Sequence, residues 1–128
     1  MLFLSLEDIL ESHQFQIDSY GGSPGIREIG LLKSAIAQPQ ASFGGQLLHA
    51  DVYEMAAAYL YHLVMNHPFV DGNKRVGLEA ALIFLEINNA TLKASDEDLV
   101  ELVLKTTLGQ VGKRDIAEFI RSHCVDCQ

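Results

Sequence analysis

The chain has 128 residues, with 9 Lys and Arg against 17 Asp and Glu, so its formal net charge is −8. The length is typical of one domain over residues 1–128, and a hydrophobic fraction of 48% argues against a disordered chain. No apolar stretch reaches the ~20 residues of a membrane-spanning helix, and the N-terminus lacks the basic start of a signal peptide. We therefore expect a cytosolic protein without membrane contact. The acidic balance argues against direct binding of nucleic acid.

Capping signals and apolar periodicity predict an all-α bundle of about six helices. Ser5 and Asp8 form a capping box that opens the first helix, and the Gly- and Pro-containing segment 20–25 predicts a turn. The third and fourth helices are apolar on nearly all faces, so we expect them to be the most buried. Strand signals are almost absent. The predicted helices run from Ser5 to about Asp18, Arg27 to Ala37, Ala50 to Asn66, Val76 to Ile87, Ser95 to about Leu108 and Lys113 to His123.

Two segments outside the helices remain open. Residues Gln40 to Gln46 are polar and contain two glycines, which suits either a mobile connector or a small hairpin. Cys124 and Cys127 form one CxxC pair near the C-terminus, and no second pair completes a four-ligand zinc site. A frayed tail with reduced thiols is the favoured interpretation, and an intermolecular metal site or a tail disulfide are the alternatives.

A second group of polar residues, around the start of the third helix, has two interpretations. His49, Asp51, Glu54 and His62 could form a metal cluster. We favour the alternative that the two acids belong to the first helical turn, where the helix dipole stabilises them, and that His62 is a hydrogen-bonded helix residue.

The segment from His67 to Arg75 joins the two most apolar helices and carries most of the chemistry in the chain. Pro68 ends the third helix and is expected to push His67 towards extended geometry. Phe69 is a candidate apolar anchor, and Gly72 permits a bend. The amides of residues 72–75 then point together at the start of the fourth helix, where the helix dipole favours an anion.

The charged residues of this segment suit phosphate chemistry. Lys74 and Arg75 lie in a first helical turn, where the dipole alone would prefer acids, which indicates a multiply charged anion. Asp71 is a hard oxygen ligand suited to Mg²⁺ carrying phosphates, and His67 can accept a hydroxyl proton. Taken singly, each residue also suits an ordinary turn and N-cap. Taken together, they predict phosphate handling.

The same nine residues resemble the signature of the Fic domain, HPFx[DE]GN[GK]R, and match it at every constrained position. Lys74, the turn at Tyr20–Gly25 and the triplet Gln38–Gln40 resemble the Doc (death-on-curing) branch of the Fic/Doc family. The resemblance covers almost the whole chain and implies a compact helical fold. It implies His67 as general base and Asp71 as the Mg²⁺ ligand. The residues implied to hold the phosphates of ATP are Gly72, Asn73, Lys74 and Arg75.

The resemblance also implies an activity and a partner. Doc proteins act as protein kinases that phosphorylate a threonine of elongation factor Tu and halt translation. They are toxins of toxin–antitoxin pairs, in which the C-terminal segment of the antitoxin folds onto the toxin. Arg27 and Glu28 are either surface charges or line the cleft that faces the motif. The loop 41–46 is either a flap that docks the target chain or a disordered surface loop.

Two departures from the pattern of AMP-transferring Fic enzymes favour the kinase. Those enzymes usually have Gly at the position of Lys74 and a second Arg at the position of Leu78. In addition, no Ser or Thr in the chain is followed four residues later by Glu, so the inhibitory segment of many Fic enzymes is missing. AMP transfer to a protein hydroxyl and a non-catalytic binding module remain the alternatives.

Overall fold

The computed structural model describes residues 1–126 and has six α-helices, as predicted for the all-α class. Four strands of two or three residues accompany them. The helices are α1 (Leu6–Tyr20), α2 (Ile29–Ala37), α3 (Val52–Asn66), α4 (Asn73–Ile87), α5 (Asp96–Thr107) and α6 (Lys113–His123). The strands are β1 (Ser42–Phe43), β2 (Gln46–Leu47), β3 (Ala90–Leu92) and β4 (Cys124–Asp126), and a 3₁₀ turn covers Gln38–Gln40.

Helices α3 and α4 pair at the centre of the bundle, with α2 and α6 packed on α3 and with α1 packed on α4. The residues of α3 from Met55 to Leu60 are all buried, which confirms the prediction from its apolar faces. Gly77 sets how closely the two helices approach, because a Cβ atom there would lie 2.9 Å from Val64 Cγ2 and 3.2 Å from the carbonyl oxygen of Leu60. This close packing of α3 against α4 fixes the positions of the two helix ends that the motif loop joins.

Helix boundaries differ from the prediction where the chain meets this loop. Helix α4 begins at Asn73 rather than Val76, since Gly72 takes a left-handed conformation with φ 82° and serves as the N-cap. Helix α2 begins at Ile29 rather than Arg27, because the backbone N–H groups of Arg27 and Glu28 donate to the carbonyl oxygen of Pro68. The capping box of Ser5 and Asp8 is present, as predicted.

The strands were the least predictable elements. Residues 42–47 form the small hairpin that was one of the two alternatives for this segment, and its Phe43 is 82% exposed. Strand β4 pairs antiparallel with β3, so the expectation of a frayed tail is wrong for residues 124–126. Strands of two or three residues are too short to show an alternating pattern. Cys127 lies outside the described residues. Within the described part of the chain, no helix is both long and apolar enough to span a bilayer.

Candidate active site

His67 ends α3 in a left-handed conformation, with φ 48° and ψ 53°. The expectation of extended geometry is wrong, because a following proline disfavours the right-handed helical region and leaves the left-handed helix cap available. Arg27 fastens this helix end: its Nε donates to the His67 carbonyl oxygen at 2.7 Å and its guanidinium also donates to the Asn66 carbonyl oxygen at 3.0 Å. The two alternatives offered for Arg27 are thus both partly right: its side chain is exposed to solvent, and its guanidinium binds the first residue of the motif.

The segment 23–28 lies alongside the motif loop and binds it through the backbone. The carbonyl oxygen of Pro68 accepts from the backbone N–H groups of Arg27 and Glu28 at 2.7 and 3.0 Å. The N–H of Val70 donates to the carbonyl oxygen of Gly25 at 3.1 Å. An isolated antiparallel bridge joins residues 26 and 69. We call residues 23–28 the bridging segment. Most of its contacts with the loop are therefore independent of the loop's side chains, the exception being the N–H of Ser23, which donates to Asp71 Oδ2.

Asn73 is buried, and its side chain points into the loop rather than towards a ligand. Its Oδ1 accepts from the N–H of Phe69 at 2.9 Å, and its Nδ2 donates to the carbonyl oxygen of Phe69 at 3.0 Å. The second Nδ2 hydrogen faces Nδ1 of His67 at 3.1 Å. The phosphate contact predicted for Asn73 can therefore come only from its backbone N–H, while its side chain positions His67.

These contacts determine which tautomer a neutral His67 ring adopts. Since both backbone groups of Phe69 hold the Asn73 amide, the nitrogen of that amide faces His67 and donates to Nδ1. The neutral ring therefore carries its proton on Nε2. In that tautomer Nε2 of His67 can only donate, and Nδ1 accepts from Asn73.

Asp71 lies on the exposed side of the loop with its carboxylate held by two backbone donors. Oδ1 accepts from the N–H of Gly72 at 2.8 Å, and Oδ2 accepts from the N–H of Ser23 at 3.2 Å. These two donors, and after them the charge of Arg75, lower the pKa of the Asp71 carboxyl. Gly22 leaves room for the carboxylate, since a Cβ atom there would lie 2.7 Å from Oδ2. An ionised, oriented carboxylate of this kind fits a Mg²⁺ ion.

The N-terminus of α4 completes the site. Gly72 has no side chain to cap the helix, and the first turn contains no acidic residue. The N–H groups of residues 73–75 are therefore directed towards the loop, next to the exposed Lys74 and the half-buried Arg75. The Arg75 guanidinium lies 5.5 Å from the centre of the Tyr20 ring, a cation–π contact. A cavity of about 300 Å³ brings these groups together, and it is lined by Val64, His67, Asp71, Gly72, Asn73, Lys74, Arg75 and Thr107.

Comparison with known proteins assigns the chain to a family. The model of the Fic/DOC family matches residues 3–85, which include α1, the bridging segment and the whole motif. The chain belongs to the Fic/DOC family. This Fic/DOC chain is 38% identical to Toxin Doc of Mycolicibacterium smegmatis over 114 residues, which are 88% of the chain and 82% of the relative. It is 31% identical to Protein kinase doc of Escherichia phage P1 over 121 residues, 94% of each protein. Both relatives confirm the predicted Doc branch.

The second polar group of this Fic/DOC chain is not a metal centre. Among residues 1–126, no three His, Cys, Asp or Glu side chains are arranged to hold a metal ion. Asp51 caps α3 and pairs with Arg121 at 2.9 Å. The prediction of a hydrogen-bonded His62 is wrong, since its buried Nε2 has no partner in the described structure. Burial lowers the pKa of His62 to about 4.

Sequence reasoning did not assign His13, Tyr20 or Thr107 to the site. His13 lies under the motif loop, Tyr20 faces Arg75, and Thr107 lines the cavity from the end of α5. Each comes from an element far from the motif in sequence. Nothing in the local pattern of these residues indicates the contact.

Proposed function

We propose that this Fic/DOC chain is the toxin of a toxin–antitoxin pair and moves the γ-phosphate of ATP to a Thr or Ser hydroxyl of a translation factor. Elongation factor Tu is the proposed target, and its modification would stop translation. The observation that supports this most strongly is the single cavity in which the His67 ring, the Asp71 carboxylate and the N-terminus of α4 meet. The printed names of the two relatives, a toxin and a protein kinase, support the same function.

The proposed roles follow from the chemistry of each group. The N–H groups of residues 73–75 would bind phosphate oxygens, since the N–H of Gly72 already donates to Asp71 Oδ1, and the Lys74 and Arg75 side chains would add charge-assisted hydrogen bonds. Asp71 would hold Mg²⁺, which when bound neutralises charge on the transferring phosphate. Phosphoryl transfer needs mainly positioning and charge stabilisation, and this set of residues supplies both.

In the proposed reaction, the target hydroxyl oxygen forms a bond to the γ-phosphorus of ATP. The bond from that phosphorus to the β–γ bridging oxygen breaks, and ADP leaves with the electron pair. The hydroxyl proton passes to His67. Because the neutral ring of His67 carries its own proton on Nε2 in the structure, the bond to Asn73 must open, and the proton must move to Nδ1, before Nε2 can act as the base.

AMP transfer is the alternative reaction, and two residues of α4 disfavour it. Lys74 places an ammonium group beside the phosphate site where AMP-transferring enzymes usually have Gly. Leu78, one turn further along α4, is a half-buried apolar side chain that offers no donor to a phosphate. The chain also lacks an inhibitory Ser/Thr-x-x-x-Glu segment, which supports control by a separate antitoxin. We propose that the C-terminal segment of the antitoxin folds onto the toxin.

One labelling experiment tests these alternatives. The protein is incubated with purified elongation factor Tu and, separately, with a cell extract, using ATP labelled at either the γ- or the α-phosphate. We expect label on elongation factor Tu from the γ-phosphate alone. Label from the α-phosphate would replace the proposal with AMP transfer, and no label from either position would favour a non-catalytic binding module. Label from the γ-phosphate on another protein would refute only the proposed target.

The role of His67 is tested by His67→Ala in the same assay. The His67 side chain is exposed, so we expect a folded protein by circular dichroism with at least a hundredfold lower transfer, as is usual when a general base is lost. A folded variant that transfers phosphate at the original rate would contradict the assignment. Arg75→Ala should retain His67 chemistry but weaken ATP binding, since it removes charge-assisted hydrogen bonds.

A further inference from the structure

We propose that His13 of α1 is the positioning residue of the metal site: it fixes the peptide that orients the Asp71 carboxylate. This inference rests on the proposed function, in which Asp71 holds Mg²⁺. His13 is only 5% exposed and lies 58 positions before Asp71 in the chain. It is not among the residues that line the cavity, so its effect must pass through the backbone of the loop.

Two contacts hold the His13 ring against the loop. Its face stacks on the Phe69 ring, with the ring centres 3.8 Å apart and the planes 6° from parallel. Its Nε2 lies 2.8 Å from the carbonyl oxygen of Asp71. A carbonyl oxygen can only accept, so Nε2 carries a proton and donates it. The stack sets where the ring lies, and the hydrogen bond sets where the Asp71 carbonyl points.

The peptide that joins Asp71 to Gly72 carries this contact to the carboxylate. Its oxygen accepts from His13, and its N–H donates to Oδ1 of Asp71 at 2.8 Å. A peptide unit is planar, so fixing its oxygen also fixes the direction of its N–H. The N–H in turn orients the carboxylate, whose Oδ2 accepts from Ser23.

The backbone at this point needs such a restraint. Gly72 is in the left-handed region with φ 82°, and glycine is the residue that most readily leaves any one conformation. A Cβ atom at Gly72 would lie 3.6 Å from both Cδ2 and Nε2 of His13, so the ring closes the space on that side. Without the hydrogen bond from His13, the peptide could rotate and carry the N–H away from Oδ1. The carboxylate would then lose one of its two backbone donors.

Two substitutions separate the hydrogen bond from the ring. His13→Phe keeps an aromatic ring to stack on Phe69 but removes the donor. His13→Gln removes the stack but can place an amide N–H where Nε2 lies. His123→Phe is the matched control, because His123 also stacks on a phenylalanine, Phe119, with ring centres 4.2 Å apart and donates from Nδ1 to a carbonyl oxygen at 2.7 Å. It lies at the end of α6, outside the candidate site.

The first measurement is the affinity for Mn²⁺ with ATP, measured by electron paramagnetic resonance, so that no catalytic turnover is needed. We expect His13→Phe to bind Mn²⁺ at least tenfold more weakly, as outer-shell substitutions at metal sites commonly do. His13→Gln should recover affinity to within about threefold of the original protein, since the donor is restored. His123→Phe should bind as the original protein does. An unchanged affinity in His13→Phe, or a His13→Gln variant as weak as His13→Phe, would overturn the proposal.

The second measurement follows the peptide itself by hydrogen exchange of the Gly72 amide without metal or nucleotide. We expect the Gly72 amide to exchange faster in His13→Phe than in the original protein. In His13→Gln, exchange should be slower than in His13→Phe and close to that of the original protein. If the original protein binds no Mn²⁺, the proposed metal site is wrong, and the exchange rates still decide whether His13 holds the peptide. Equal exchange in all three proteins would refute the role of His13 whatever the metal does.

Discussion

Replacing Asn73 by Ala should destabilise the protein much more than the same change at Asn88. The two residues lie at opposite ends of α4, and each makes three hydrogen bonds through its side-chain amide. In both cases the amide holds the N–H and the carbonyl oxygen of a single residue, Phe69 for Asn73 and Leu2 for Asn88. The two substitutions therefore differ mainly in burial.

The magnitude follows from what each substitution leaves behind. Asn73 is 4% exposed and Phe69 is fully buried, so Asn73→Ala leaves an N–H and a carbonyl oxygen without partners and out of reach of water. A buried group left unpaired costs about 1–3 kcal/mol, so the two together should lower the free energy of unfolding by about 2–6 kcal/mol. Asn88 is partly exposed and Leu2 is exposed, so water replaces most of the lost bonds there, and we expect a loss of about 1 kcal/mol or less.

Urea denaturation followed by circular dichroism measures both losses. The slope of free energy against urea should stay the same in the two variants, since neither change alters how much surface unfolding exposes. If the two variants lose the same free energy, burial of the Asn73 amide does not stabilise the loop, and our explanation of its geometry is wrong.

Two further predictions concern the carboxylate and the effect of pH. Gly22→Ala should weaken Mn²⁺ binding with ATP, while Gly21→Ala should not. Both glycines have positive φ, but only at Gly22 would an added Cβ atom crowd the Asp71 carboxylate. Equal weakening in the two variants would mean that backbone strain alone is responsible. The free energy of unfolding should fall as pH is lowered from 6.5 towards 4, since over this range the unfolded chain protonates His62 and the folded protein keeps it neutral. Burial lowers the pKa of His49 as well and acts in the same direction. Denaturation across this pH range should give a shallower slope for His62→Gln, and an unchanged slope would contradict the pKa of His62.

The sequence predicts those parts of the site that depend on neighbours in the chain. The loop position of Asp71 and the grouping of His67 with Lys74 and Arg75 follow from spacing within nine residues, whereas the start of α4 at Asn73 rather than Val76 does not. The direction of the Asn73 side chain does not follow from spacing. An asparagine at a helix start suits a cap, and only the path of the loop back over the core brings Phe69 close enough to bind its amide.

Contacts between distant parts of the chain could not be predicted in this way. The contact of His13 with Asp71 and the contact of Arg27 with His67 join residues 58 and 40 positions apart. Apolar periodicity shows which face of a helix is buried but not which element covers it. The conformation of His67 depends on both kinds of contact: its neighbour Pro68 disfavours the right-handed helical region, while the hydrogen bond from Arg27 that holds its carbonyl oxygen comes from a distant part of the chain.

The bridging segment has a consequence for the order in which the protein becomes active. Its hydrogen bonds to Pro68 and Val70 join the first quarter of the chain to a loop that the ribosome makes some forty residues later. While the chain is being synthesised, the bridging segment between α1 and α2 has no hydrogen-bond partners from the loop until the loop has emerged from the ribosome. Conversely, a fragment that lacks residues 1–28 keeps every motif residue and loses the partners that shape them. The motif loop can therefore take its described geometry only after the bridging segment and the loop have both been synthesised and have docked.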